Sequence, residues 1–347
     1  MKKTILLLAA TLTLTSVSAI AQNTMDKQGR RQGHWVRTDK DGSKIYEGDF
    51  IDGRETGVFT YYYPNGAVRI RNTYSVPGTQ CLHEAYDEQG RLLARGEYNQ
   101  RNRDGRWLFY AEDGRLVKEA SYKMGIKDGP HVVFERNGDT AEIANYKDNR
   151  HHGRWWRRVG KTGYITGNYV NGALEGIVVE YNDNGQMVRE GHYVGGLRHG
   201  SYRYFENNKL TIDERWTHGI MNDRLILLLT PDEQFVSVFD IACAAAQGKN
   251  KVVVYLKDGS RLVALEGSDV IYNRVGNDVL VSANRKNRIM VARSCVQGVS
   301  KDNEGRDILI LEPQPDFTVF PDEDGIKMAH ARQYEEHSPL SEMPVKE

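Results

Sequence analysis

From residue 33 to about residue 223 apolar and polar side chains alternate in short runs, and glycine interrupts them at a fixed interval. Gly33, Gly57, Gly105, Gly129, Gly153, Gly176 and Gly200 are separated by 24 residues, a double step of 48, then 24, 24, 23 and 24. Cys81 stands where the double step lacks its glycine. Nine residues after most of these markers comes a second glycine (Gly42, Gly66, Gly90, Gly114, Gly138, Gly185), usually preceded by Asp or Asn. Asn-Gly or Asp-Gly between alternating runs signals a β-hairpin, and a type I′ turn is the expected connection. The pattern predicts eight hairpins.

Seventeen residues after the marker stands an aromatic residue: Phe50, Tyr74, Tyr98, Tyr122, Tyr146 and Tyr193, with Tyr169 and Trp216 displaced by one. Two residues before it the side chain is small, as in Gly48, Asn72, Gly96, Ala120, Ala144, Gly167 and Gly191. Positions two apart share a face of a strand, so each ring lies beside a gap that a neighbouring strand fills. A second aromatic row runs through Tyr62, Tyr86, Tyr110, Phe134, Tyr181 and Phe205, at marker plus five. One hairpin is marginal in water, whereas stacked hairpins bury each other's rings. The expected fold is mainly β: an elongated antiparallel sheet of stacked hairpin repeats over residues 33–223, then a small α+β or β-barrel-like domain over 224–312.

The stretch GRWLFYAEDGRLVKEASYKMGIKDG, Gly105 to Gly129, resembles the MORN repeat variant, a longer-hairpin relative of MORN repeats found in bacterial proteins often labelled YwqK-like antitoxins. The resemblance implies a repeat scaffold that binds proteins, with lipid binding proposed for some members. The antitoxin label implies neutralising a partner by binding it.

The ends of the chain add to this picture. MKKTILLLAATLTLTSVSAIAQ has two lysines, an apolar stretch and Ala19-Ile20-Ala21, the layout of a cleavable secretory signal over residues 1–21. The expected protein is exported, periplasmic or secreted, or placed at the outer-membrane periphery, with no transmembrane segment. Without Lys2 and Lys3 the formal charge is −2, from 45 basic and 47 acidic residues, and nothing points to nucleic acid. From Pro313 to Glu347 there are eight acidic and three basic residues, which predicts an acidic, flexible tail.

One segment is unusually rich. HHGRWWRR, residues 151–158, gathers two His, three Arg and two Trp. Most of it is ordinary repeat: Gly153 is a marker, and Trp155 falls where Trp35, Phe59 and Trp107 stand. The surplus is Arg154, Trp156 and Arg158, alternating on one face. Arg154, Trp155, Trp156, Arg157 and Arg158 form the candidate interaction patch, for packing or for an anionic or glycan partner, since Arg and Trp anchor interfaces. Adjacent histidines with no convergent carboxylates or thiols do not suggest a metal.

After residue 223 TPDEQFVSVFDIACAAAQG reads as a helix, with Thr230 as N-cap, Pro231 in the first turn and Gly248 past the end. A hairpin about Asp258-Gly259 and strands at 279–282, 289–292 and 307–311 complete the expected domain. Cys243 and Cys295 are either two buried small hydrophobes or a disulfide tying helix to sheet. No nucleophile elbow, HExxH, CxxC or Gly-rich phosphate loop is present, so no catalytic residue, cofactor or metal is expected. The expected function is a non-enzymatic exported scaffold for a protein partner. The alternatives are a glycan- or cell-wall-binding module and a neutralising antitoxin-type binder.

Overall fold

The computed structural model describes residues 22–276, 279–281, 289–301, 303–305, 307–313 and 315. The expected leader, the acidic tail beyond residue 315 and Ser282 lie outside the described residues. The protein is mostly β, and strands in antiparallel hairpin order dominate it. The chain divides into two compact units, residues 1–150 and 151–347.

The first unit holds five hairpins, built from Arg31–Thr38 with Lys44–Ile51, Arg54–Tyr62 with Val68–Val76, Gln80–Tyr86 with Leu92–Asn99, Asn102–Tyr110 with Leu116–Lys123, and Ile126–Phe134 with Thr140–Lys147. Each also pairs with the next. The turn chemistry differs from the expectation. Within a hairpin only the glycine is left-handed: Gly42 has φ +86° while Asp41 does not have a positive φ. The Gly42 amide donates to the Asp39 carbonyl, 3.3 Å, and the Asp39 amide to Ser43, 2.9 Å, so the loop is a tight turn closed by a glycine bulge. The Asp39 carboxylate explains the choice, because it accepts from the Asp41 and Ser43 amides, 2.9 Å each. The two-residue turns with paired positive φ instead join one hairpin to the next, as at Asp52 (50°) and Gly53 (77°), or Gln100 (49°) and Arg101 (67°).

The gap two residues before each aromatic has a definite tenant. A Cβ on Gly48 would lie 2.2 Å from the Phe59 ring, and one on Gly96 would lie 2.3 Å from the Trp107 ring. The ring at marker plus two therefore lies flat on the last strand of the preceding hairpin. Trp107 is 1% exposed and its indole N–H donates to the Glu97 carbonyl, 3.0 Å. Where Asn72 replaces glycine, His83 replaces the large ring and its Nδ1 meets Asn72 Oδ1 at 2.8 Å. Thus the repeat keeps its contact by changing both partners.

The second unit carries three more hairpins, Gly153–Val159 with Gly163–Val170, Gly176–Tyr181 with Met187–Val194, and Leu197–Glu206 with Lys209–Thr217. Tyr202 covers Gly191 just as Trp107 covers Gly96. Strands Ile220–Leu228 and Gln234–Ser237 extend the sheet. The helix expected over 230–248 does not form. Glu233 has φ +51°, Gln234–Ser237 is a strand, Val238–Asp240 a single 3-10 turn, and Ile241–Ala246 the central strand of a five-stranded sheet. Burial on both faces overrides the helical preference of the alanines. Ala244 packs among Ile212, Ile226, Leu228, Val252 and Ile271, while Cys243 packs against Val291, Leu309 and Leu311. The strands at 252–256, 261–264, 289–292 and 307–311 appear where expected, joined by a helix, Ser268–Val275, and a strand, Val296–Lys301, that the pattern did not show.

The helix is fastened by a buried ion pair. Arg274 donates to the Leu227 carbonyl (2.7 Å) and to Glu266 (2.9 Å), and reaches Glu206 at 3.2 Å, while Glu266 accepts from the Leu229 amide (3.0 Å). Together with the shared core, this seats the small domain on the last repeat strands.

Candidate docking face

The two faces of the repeat sheet have different chemistry. In the first unit Trp107 and Phe109 have centroids 6.2 Å apart, and on the same face Tyr122, His131 and Tyr146 form a second group with neighbouring centroids 5.8 and 4.4 Å apart. Cations lie over these rings. The Arg103 guanidinium carbon is 4.7 Å from the Trp107 centroid, 5.6 Å from Phe109 and 5.5 Å from Tyr122. Lys118 Nζ lies 5.8 Å from Phe109 and Lys127 Nζ 5.0 Å from Tyr146, and Arg31 repeats the motif over Trp35 and Phe50 at 5.0 Å each. Such stacking fixes the cation, and each arginine also donates from one Nη to a tyrosine hydroxyl, Arg103 to Tyr122 at 3.4 Å and Arg31 to Tyr46 at 3.2 Å.

The opposite face is a ladder of ion pairs. Arg106 binds Glu119, Arg71 and Arg95 approach Glu84 at 4.0 and 3.8 Å, and Lys44 with Tyr62 binds Glu47. These contacts hold the Glu47 carboxyl below the usual carboxylate range, through Lys44 first and Tyr62 second, and push the Tyr62 phenol up to about 12, burial first and Glu47 second. Exposed aliphatics, including Val58 and Ile143, also lie on this face.

In the second unit the structure divides the candidate patch. Alternation places Trp155 and Arg157 on the ring face, paired with Gly167 and Ile165, and Arg154, Trp156 and Arg158 on the other. Trp155 is buried with Ile165, Tyr169, Leu174 and Val178. Trp156 lies near Tyr164, 6.0 Å, which stacks on Tyr181, 4.7 Å, so Tyr181 of the marker-plus-five row joins a short ladder of rings here. Arg158 donates to the Lys161 carbonyl, 2.8 Å. The irregular turn with Gly160 and Gly163 is clamped by the next hairpin, since one Asp183 oxygen accepts from the amides of Lys161, Thr162 and Gly163, 2.8 Å each.

The two histidines are also divided. His151 stacks on Tyr169 at 5.0 Å, while His152 Nδ1 accepts from the Asn171 amide at 3.4 Å. The residue before the marker plays that part elsewhere: Gln32 for the Asp52 amide, Asp104 for Met124, Glu175 for Gly195 and His199 for His218. His152 is therefore a turn clamp.

Cys81, Cys243 and Cys295 are buried free thiols. Burial, then Glu55, pushes the Cys81 thiol up to about 11, and burial, then Cys295, pushes Cys243 up to about 12, which leaves both poor nucleophiles near neutrality. A shallow cleft of about 330 Å3 beside Cys81 is lined by Tyr74, Tyr98, Glu97 and Asp104, and Asp104 is already engaged with the Met124 amide. Among the described residues no three His, Cys, Asp or Glu side chains converge as metal ligands, and no helix is long and apolar enough to cross a membrane.

Sequence reasoning located the rings but missed the cations beneath the marker, although Arg31, Arg103, Lys127 and Arg198 all stand two residues before it. The fold defines a β-hairpin repeat protein whose units present one ring-lined and one ion-paired face. Residues 55–75, 103–124 and 174–194 match the MORN repeat variant family. Each match opens on or beside the position two before a marker. No curated protein matches the chain.

Proposed function

We propose that this protein is an exported, non-enzymatic scaffold that binds a protein partner in the cell envelope through the ring face of its repeats. The MORN repeat variant family supports a repeat scaffold or binding module. The observation that carries the docking reading is the set of rings on one face whose capping cations, unlike Lys44 over Tyr62 and Arg71 over Tyr86 on the other, have no carboxylate among the described residues, because Arg and aromatic side chains concentrate binding energy at protein interfaces. The leader pattern supports export. The buried thiols and the shallow cleft offer no activated nucleophile paired with a base.

The test is to immobilise the secreted form of the chain and present envelope proteins and purified cell-wall glycan in parallel. Saturable retention of a protein, reduced by substitution of Phe109 and Tyr122, supports the scaffold reading. Retention of glycan alone contradicts it.

A further inference from the structure

We infer that the ring face of the first unit takes an acidic, extended segment of its partner, with carboxylates about three residues apart. This rests on the docking reading above and names the chemistry that fits it.

The argument begins with an asymmetry in how cations are satisfied. On the ion-paired face Arg71, Arg95 and Arg106 each have a carboxylate within 4.0 Å. On the ring face Arg103, Lys118 and Lys127 have rings and, among the described residues, no carboxylate. Ring stacking satisfies the face of a guanidinium and leaves its N–H edge for an anion. The neighbouring histidine adds no competing charge, since burial and then Arg103 hold the His83 imidazole below its ordinary value and so neutral. The nearest carboxylates of that face flank the cluster: Glu55 two hairpins earlier, and Glu142 on the strand after Lys127.

The spacing selects the ligand's form. Arg103 and Lys127 occupy the same register position in successive hairpins, two strands apart. At roughly 4.8 Å per strand they are about 10 Å from each other, while Lys118, on the intervening strand, pairs with Phe109 and Val133 at a position four residues, or roughly 13 Å, along from Tyr122. A chain in the extended polyproline II form has three residues per turn and rises about 3.1 Å per residue, so carboxylates at every third residue fall on one side and recur at about 9 Å, close to that interval. A flat anionic membrane fits less well: the cations are half-buried among rings, and the exposed aliphatics Val58 and Ile143 are on the other face.

The probe is a labelled peptide of Glu-Ser-Val repeated four times, with Gln-Ser-Val and Lys-Ser-Val counterparts, measured by anisotropy on the full chain at low and moderate salt. The Glu peptide is expected to bind at least tenfold tighter than either counterpart, and more weakly as salt rises. Arg103→Gln and Lys127→Gln, each first shown by circular dichroism to fold, should weaken it about tenfold together, while Arg106→Gln on the opposite face leaves it unchanged. Equal binding of the Lys peptide, no binding of the Glu peptide, insensitivity to both ring-face variants, or binding only to phosphatidylserine vesicles overturns the inference. If a captured envelope protein is retained equally by the Arg103→Gln/Lys127→Gln variant, the acidic ligand is refuted while the scaffold reading stands.

Discussion

Gly96→Ala tests the packing rule that builds the sheet. The backbone at Gly96 has no positive φ, so the added methyl brings no left-handed strain and the effect is steric. Three Trp107 ring atoms would lie 2.3–2.5 Å from the new Cβ, and they belong to the rigid base of the indole rather than to a flexible tip. Moving the ring disturbs a site that is 1% exposed and breaks the indole hydrogen bond to Glu97. Overpacking costs about 1–3 kcal/mol and the hydrogen bond about 1 kcal/mol, offset by about 0.5–1 kcal/mol gained on replacing a strand glycine. The net expectation is a loss of about 1–3 kcal/mol. Because a repeat array need not unfold in one step, the assay is native-state hydrogen exchange of the strands Leu92–Asn99 and Asn102–Tyr110. A double-mutant cycle with Trp107→Ala separates the clash from other effects. In the Trp107→Ala background Gly96→Ala should be neutral or stabilising. An equal penalty in both backgrounds would refute the idea that the glycine exists to admit the ring.

Other outcomes follow from single contacts. Arg274→Met leaves Glu266 buried without its cation and should cost about 3 kcal/mol by denaturant melting, whereas replacing both by apolar residues should recover most of it. Asp183→Ala should speed exchange of the Lys161, Thr162 and Gly163 amides. The Asp183 carboxyl is held below the usual range, first by the Thr162 amide, so wild-type protection of these amides is full above the ordinary carboxylate range and lost as pH falls through the lowered value. His83 is also depressed, so acidification below about pH 6.5 protonates the unfolded chain first and stability falls; His83→Phe paired with Asn72→Gly should remove that part of the acid sensitivity in pH-dependent melts. His199→Gln should keep the clamp on the His218 amide, as Gln32 does for Asp52, whereas His199→Ala should lose it and speed exchange of that amide.

Much of this architecture is readable from residue spacing because each repeat solves the same steric problem. Glycine two residues before an aromatic, as at Gly48, Gly96, Gly167 and Gly191, announces a ring lying on backbone, and the seven marker glycines with Cys81 identify eight hairpins without reference to any relative. The turn types were not readable, since Asp-Gly suits both a type I′ turn and a glycine bulge; the Asp39 carboxylate accepting two amides decides between them. The segment at 230–248 misled for a physical reason. Ala242 to Ala246 look helical by propensity, yet a central strand covered on both sides needs small side chains. The candidate patch at 154–158 is two surfaces: the alternation already readable in the sequence sets Arg154, Trp156 and Arg158 apart, and the strand register places Trp155 and Arg157 on the opposite face. The cations under the rings were visible as letters, but their lack of carboxylate partners required coordinates.

The account stands most directly on which face meets the partner. Hydroxyl-radical footprinting of the full chain, free and bound to a captured envelope protein, reads this residue by residue. Phe109, Tyr122 and Tyr146 on the ring face should lose reactivity on binding, while Val58 and Ile143 on the ion-paired face keep theirs. Protection of Val58 and Ile143 with the rings left reactive would contradict the claim that the cation-capped rings are the docking surface.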